Sequence, residues 1–134
     1  MILKLTRKQV ETLKKDAIRN YPEEACAMLF GKTEKGIAEV SWIVIAENIL
    51  HSQTRFEIDP EIVYEALKEA EERGLDLIGF AHSHTNSSKP SLIDRKFIRL
   101  WGDAIWLILS TLNGKMEAFR MVNEKLEKVT LEIT

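Results

Sequence analysis

The sequence has one cysteine, no long apolar run and almost no net charge, and each shortage argues against a class of protein. With only Cys26, no disulfide can form within the chain, and a reducing, cytoplasmic compartment fits best. No apolar run approaches the ~20 residues of a membrane span, and the N-terminus turns polar too soon for a signal peptide. The net charge of −2 comes without a basic cluster, so neither nucleic acid nor a membrane is an expected partner.

The composition itself is that of an ordinary folded domain. The 134 residues are 45% hydrophobic and 30% charged, which is enough apolar material for a core and enough charge for solubility. There are no repeats, low-complexity tracts or linkers, so residues 1–134 are expected to form a single domain. The oligomeric state stays open, homo-oligomers included.

Three segments carry the signals of helices. Thr6 followed by Gln9 is the sequence of a capping box, and apolar residues at helical spacing follow it. Asp59 and Pro60 are a typical helix start, and Gly74 is a typical end. A third helix is predicted over residues 91–101.

The apolar runs between these helices predict strands. A short strand over residues 2–5 is followed by runs at 25–30, 37–46, 76–84, 104–111, 117–122 and 128–133. Asn113 and Gly114 predict a type I′ hairpin turn. Strands in adjacent hairpins with helices inserted between them indicate a mixed α/β (α+β) fold, in which helices pack on a sheet of about six strands.

Two of the three histidines lie at the end of a predicted buried strand. Side chains at positions i and i+2 of a strand point to the same face, so His82 and His84 can share one ion. Asp94 follows in the first turn of the next helix. Two nitrogens and one oxygen suit Zn²⁺ with a fourth position open, the pattern of a catalytic site. Ser91 and Asp94 are equally a helix-capping sequence, and this reading stays open beside the first.

A hydrolytic zinc site also needs a base from outside the ligand set. Glu23 and Glu24 lie where the first helix gives way to a buried strand, and either one can be the base or a solvated charge. The third histidine, His51, is interpreted as a solvated loop residue. Cys26 lies in an apolar run without a neighbouring base, which favours a buried thiol over a nucleophile.

Together these residues resemble the JAMM (MPN+, JAB1/MPN/Mov34) metalloprotease family over most of the chain. The family pattern is a glutamate two residues before a small residue, then His-Ser/Thr-His, about seven residues, and Ser-x-x-Asp. Six residues rather than seven precede the serine here, and Thr85 stands where a proline is frequent. In this chain the pattern falls on Glu24, His82, Ser83, His84, Ser91 and Asp94.

The resemblance implies a JAB/MPN domain, with a curved, mostly antiparallel mixed sheet similar to the cytidine-deaminase-like architecture. It implies one Zn²⁺ per chain on His82, His84 and Asp94, with Glu24 as general base and Ser91 stabilising the oxyanion. Ser83 points to the opposite face and is assigned to packing. The implied partners are ubiquitin-like or sulfur-carrier proteins, cleaved by an isopeptidase or peptidase reaction after their C-terminal glycine, with an extended tail added to a sheet edge.

Two other functions remain as alternatives at this stage. One is a non-catalytic MPN scaffold for protein contacts, although such members typically lack some of the motif residues. The other is a zinc amidohydrolase that acts on small molecules. A deaminase is less favoured because its Cys-x-x-Cys ligand pair is absent.

Overall fold

The computed structural model describes residues 1–134 as seven strands and three helices. All three predicted helices and every predicted strand are confirmed, with small shifts at their ends. In chain order the elements are β1 (Ile2–Leu5), α1 (Arg7–Asn20), β2 (Cys26–Glu34), β3 (Ile37–Ala46), α2 (Pro60–Glu72), β4 (Asp76–His84), α3 (Leu92–Leu100), β5 (Ile105–Ser110), β6 (Met116–Val122) and β7 (Lys125–Ile133).

The strands form one mixed sheet that closes into a barrel in the order β1-β3-β2-β4-β5-β6-β7. The expected curved sheet of about six strands therefore has seven and is closed. The short strand β1 makes the difference, because it pairs in parallel with both β3 and β7. Its pairing with β3 covers only Ile37, Ala38 and Glu39, so the second half of β3 keeps one unpaired side. That half is a free sheet edge.

The helices begin where the sequence signals indicate. Thr6 and Gln9 form a reciprocal capping box at the start of α1. Asp59 caps α2 from a position directly before Pro60, and Gly74 follows its end with a φ of 71°, a conformation that glycine adopts without a Cβ penalty. None of the three helices is long and apolar enough to cross a membrane.

Two apolar clusters cover the two sides of the central strands. The first joins Leu13 of α1 to residues of the barrel such as Leu29 and Leu107. The second joins Ala66 and Ala70 of α2, and Ile98 of α3, to side chains including Phe80 and Trp106. Because β2, β4 and β5 are buried on both sides, they read as continuous apolar runs rather than as alternating ones.

One turn prediction is wrong in its type. A type I′ turn needs a positive φ at both central residues, but of Asn113 and Gly114 only Gly114 has one, 73°. The loop between β5 and β6 is five residues long, 111–115, and is closed by the hydrogen bonds of Ser110. The two-residue turn with both φ values positive is instead Asn123 and Glu124, at 48° and 64°, between β6 and β7.

Strand β4 lies between β2 and β5 and carries the histidines at its carboxyl end. It runs antiparallel to β2 and parallel to β5, with His82 paired to Cys26 on one side and to Ile108 on the other. Gly79 permits this close pairing, since a Cβ built there would lie 1.8 Å from the carbonyl oxygen of Ile105. The register of β4, and with it the direction of both histidines, is fixed from two sides.

Candidate functional site

The two histidines of β4 converge on one point, as their spacing predicts. Their Nε2 atoms are 3.1 Å apart, and both side chains are almost completely buried. The ring of Phe56 stacks on His82 with centroids 4.7 Å apart, which limits the rotation of that imidazole. Sequence reasoning missed Phe56, whose only signal was an aromatic residue directly after a polar loop.

The carboxylate of Asp94 completes a triangle with the two imidazoles. Its Oδ2 lies 3.2 Å from Nε2 of His82 and 3.0 Å from Nε2 of His84. Corners of a tetrahedral site with metal–ligand distances of about 2.0–2.1 Å lie roughly 3.3 Å apart, so three such atoms match one face of it. The type and placement of these donor atoms fit Zn²⁺.

Asp94 reaches this position through the capping box of α3. Its Oδ2 accepts the backbone N–H of Ser91 at 2.9 Å, and its own N–H donates to Oγ of Ser91 at 3.1 Å. The two interpretations of Ser91 and Asp94 as a helix cap and as site residues therefore hold in the same geometry. Because Oγ of Ser91 serves as an acceptor here, its hydroxyl proton is free for another partner.

Glu24 faces the triangle from the start of β2. Its Oε2 is 3.9 Å from Nε2 of His84, and its Oε1 is buried without a hydrogen-bond partner. One atom each from Glu24, His82 and His84 lie within 4.8 Å of one another. The neighbouring Glu23 points outward instead and contacts Nδ1 of His51 at 3.0 Å. His51 is exposed, as expected, although it lies between Glu23 and Glu47 rather than in solvent alone.

The electrostatics separate the two acids of the site. Burial raises the pKa of Glu24 to about 8; the negative charge of Asp94 adds to the shift, and His84 opposes it. Burial also raises the pKa of Asp94, but hydrogen bonds from His82 and His84 outweigh it and hold that pKa well below its usual range. Asp94 is thus an anion opposite two imidazoles, whereas Glu24 is an acid that can hold or release a proton near neutrality.

Two further residues of the motif serve the frame of the site. Oγ of Ser83 accepts the N–H of Ala25 at 2.8 Å, so its role beyond packing is a buried hydrogen bond that ties β4 to the entry of β2. Cys26 is a free, buried thiol, and burial raises its pKa to about 12, which confirms the expectation of an unreactive thiol.

Comparison of the sequence with models of known families identifies the family of this chain. The profile described as prokaryotic homologs of the JAB domain matches residues 6–122. The chain therefore belongs to the JAB-domain family, as one of its prokaryotic members.

Two curated proteins of this family are similar along most of their length. A desampylase from Pyrococcus furiosus is 40% identical over 103 residues, which cover 76% of this chain and 69% of that protein. A desampylase from Haloferax volcanii is 27% identical over 113 residues, which cover 84% of this chain and 79% of that protein.

Solved structures agree on the fold. A protein from Desulfitobacterium hafniense has a TM-score of 0.88 at 24% identity, and the match covers 100% of this chain and 93% of that one. A JAB1/MPN domain protein from Archaeoglobus fulgidus has a TM-score of 0.61 at 20% identity, with 100% and 96% covered. The JAB/MPN fold expected from the sequence is thereby confirmed.

Proposed function

We propose that this chain is a zinc-dependent isopeptidase or peptidase that cleaves the bond after the C-terminal glycine of ubiquitin-like or sulfur-carrier proteins. The observation that carries the proposal is the triangle of His82, His84 and Asp94 atoms, 3.0–3.2 Å apart, beside the buried carboxyl of Glu24. These three residues would hold one Zn²⁺ per chain. When bound, the ion supplies a Lewis acid that polarises the scissile carbonyl and lowers the pKa of a water to about 7.

Two residues of the chain act on the substrate, one by proton transfer and one by hydrogen bonding. Glu24 accepts a proton from the attacking water and returns it to the leaving amine, a role supported by its buried position 3.9 Å from Nε2 of His84 and by its unpartnered Oε1. Ser91 donates a hydrogen bond from its free hydroxyl to the oxyanion of the tetrahedral intermediate. One such donor contributes ~3 kcal/mol to transition-state stabilisation.

A protein substrate is supported by the surface beside the site as well as by the desampylase relatives. Helix α3, which carries Asp94, exposes several large apolar side chains, among them Leu92 at 82% and Leu100 at 78%. Apolar side chains grouped on a surface mark protein contacts more often than small-molecule sites. This surface favours a ubiquitin-like protein over the small amide of the alternative amidohydrolase.

The test is metal analysis combined with cleavage of a panel of ubiquitin-like conjugates. We expect about one zinc per chain, release of the conjugated protein, and loss of that release after chelation with recovery on adding Zn²⁺. The double variant His82→Ala, His84→Ala should contain no zinc. Full metal occupancy in that variant would refute the ligand set, and cleavage of small amides without any conjugate cleavage would favour the amidohydrolase.

A further inference from the structure

The main chain of Glu24 is held by a loop rather than by a strand. Glu24 precedes β2, and its N–H donates to the carbonyl oxygen of Ser52 at 2.8 Å. Its own carbonyl oxygen accepts Nδ2 of Asn48 at 3.0 Å. Both main-chain polar groups of the proposed base therefore depend on the segment of residues 48–57 that follows β3.

Asn48 is the centre of that segment. Its side chain is buried, and Nδ2 also donates to the carbonyl oxygens of Arg55 at 3.0 Å and Ser52 at 3.4 Å. Its Oδ1 accepts the N–H groups of Leu50 and Glu57, each at 3.2 Å. A buried amide costs stability unless its donors and acceptor are used, and here all of them are used on main-chain atoms.

The same side chain also fixes the aromatic ring on the opposite side of the site. Asn48 binds main-chain atoms of the two residues that flank Phe56, the carbonyl of Arg55 and the N–H of Glu57. Phe56 is the residue whose ring stacks on His82 at 4.7 Å. One amide thus determines both where the base enters the site and where the ring supports a histidine.

We propose that Asn48 is a positioning residue for the reaction, which holds the carboxyl of Glu24 at its working distance from the metal triangle. This inference rests on the proposed function, because it assumes that Glu24 is the base. The carboxyl itself has no hydrogen bond in the site: Oε1 is unpartnered and Oε2 is 3.9 Å from the nearest histidine nitrogen. Its position is therefore set by its backbone, and the backbone is set by Asn48.

The test compares two amide-to-carboxylate substitutions of equal shape. Asn48→Asp removes the amide group that donates to the carbonyl of Glu24 and keeps the acceptor oxygen. Gln9→Glu is the matched control, because Gln9 also donates its amide to a distant carbonyl, that of Val40 at 3.0 Å, but far from the site. We expect Asn48→Asp to lower kcat by about 10²-fold, the effect of a displacement of about 1 Å, with KM within threefold and zinc at one per chain.

A merely structural role predicts a different pattern. In that case both variants lower the unfolding temperature and leave kcat at low temperature unchanged. Asn48→Ser, whose hydroxyl keeps one donor, is the milder variant for the same measurements if Asn48→Asp fails to fold. Normal kcat in either folded variant, or loss of zinc in parallel with loss of kcat, overturns the proposal.

A crystal structure of Asn48→Asp separates this inference from the proposed function. We expect the carboxyl of Glu24 to be displaced from its wild-type position relative to His84. A wild-type protein that cleaves no conjugate refutes the proposed function, whereas an undisplaced Glu24 carboxyl refutes the role of Asn48.

Discussion

Two adjacent glutamates, Glu23 and Glu24, have opposite environments. Glu24 is 2% exposed and its carboxyl lies 3.9 Å from Nε2 of His84, whereas Glu23 contacts the exposed ring of His51. A base needs a pKa near the working pH, and burial raises the pKa of Glu24 to about 8. The difference of one position in the sequence decides which acid faces His82, His84 and Asp94.

Substitution of the two acids tests this assignment directly. We expect Glu24→Gln to keep one zinc per chain and to lose roughly 10²–10⁴-fold in turnover, the usual contribution of general acid–base catalysis. Glu23→Gln is the matched control, with near wild-type turnover. Conjugate cleavage rates and metal analysis on the same preparations measure turnover and zinc content for both variants. If zinc disappears with Glu24→Gln, Glu24 is a ligand instead of the base.

For single residues, the sequence alone predicts part of the site. The period of a strand is enough to place His82 and His84 on one face, and the Ser91–Asp94 spacing is enough to predict the cap. Residues alone leave Glu23 and Glu24 equivalent, since their difference is created by contacts with distant segments. Phe56 and Asn48 were not predicted for the same reason: their partners lie in β4 and at the entry of β2.

Among the elements, the loop between β4 and α3 is held by an ion pair from outside it. Lys89 donates a hydrogen bond to Oε1 of the buried Glu117 in β6 at 3.1 Å, and its Nζ forms an ion pair with Oε2 at 2.8 Å. Lys115 and Lys128 contact the same carboxylate at 3.2 and 3.3 Å. Burial raises the pKa of Glu117, but hydrogen bonds from the three lysines outweigh it and lower that pKa to about 2. Of the three lysines, only Lys89 belongs to the loop between β4 and α3, so only Lys89 links this loop to the carboxylate.

This arrangement predicts different effects for two equivalent lysines. Lys89→Ala should change KM among ubiquitin-like conjugates by severalfold with little change in kcat or zinc content, because it frees the loop of residues 85–90. Lys128→Ala removes the same charge from the same carboxylate but leaves the loop attached, so its KM values should stay at wild type. Steady-state kinetics on several conjugates distinguish the two. Equal effects of both substitutions would mean that charge, and not loop attachment, is responsible.

Element boundaries show where local signals are sufficient. The capping box of α1 and the helix cap at Ser91 and Asp94 were predicted because each is formed by residues three positions apart. The turn at Asn113 and Gly114 was assigned the wrong type, since the same dipeptide fits a five-residue loop in which only the glycine has a positive φ. The length of the loop is set by the register of β5 against β6, which the dipeptide does not encode.

For the whole molecule, the buried carboxyl of Glu24 predicts a pH dependence of stability in the metal-free protein. A carboxyl whose folded pKa is raised, here from 4.5 to about 8, stabilises the folded state below pH 4.5 and loses that contribution as pH rises through about 8. We expect the free energy of unfolding of the chelated wild type to fall between pH 6 and pH 9 relative to that of Glu24→Gln. Urea unfolding at both pH values gives this difference, and parallel values for the two proteins would contradict it.

The closed barrel is the feature that the sequence did not predict. Local patterns indicated each strand, but closure depends on β1 finding β7, more than a hundred residues away. A four-residue strand carries no signal for its partners. The mixture of parallel and antiparallel pairs follows from the same long-range choice.

We expect closure of the barrel to be a late event in folding. Strands β2, β4 and β5 and helix α3, which surround the proposed zinc ligands, lie within residues 26–110, and their pairings need nothing from β7. Pairing of β1 with β7 closes a loop that spans nearly the entire chain, so it has the largest loop-closure entropy in the molecule. During synthesis the ribosome releases β7 last of the strands. Strands β2, β4 and β5 can thus pair as an open sheet before β1 pairs with β7.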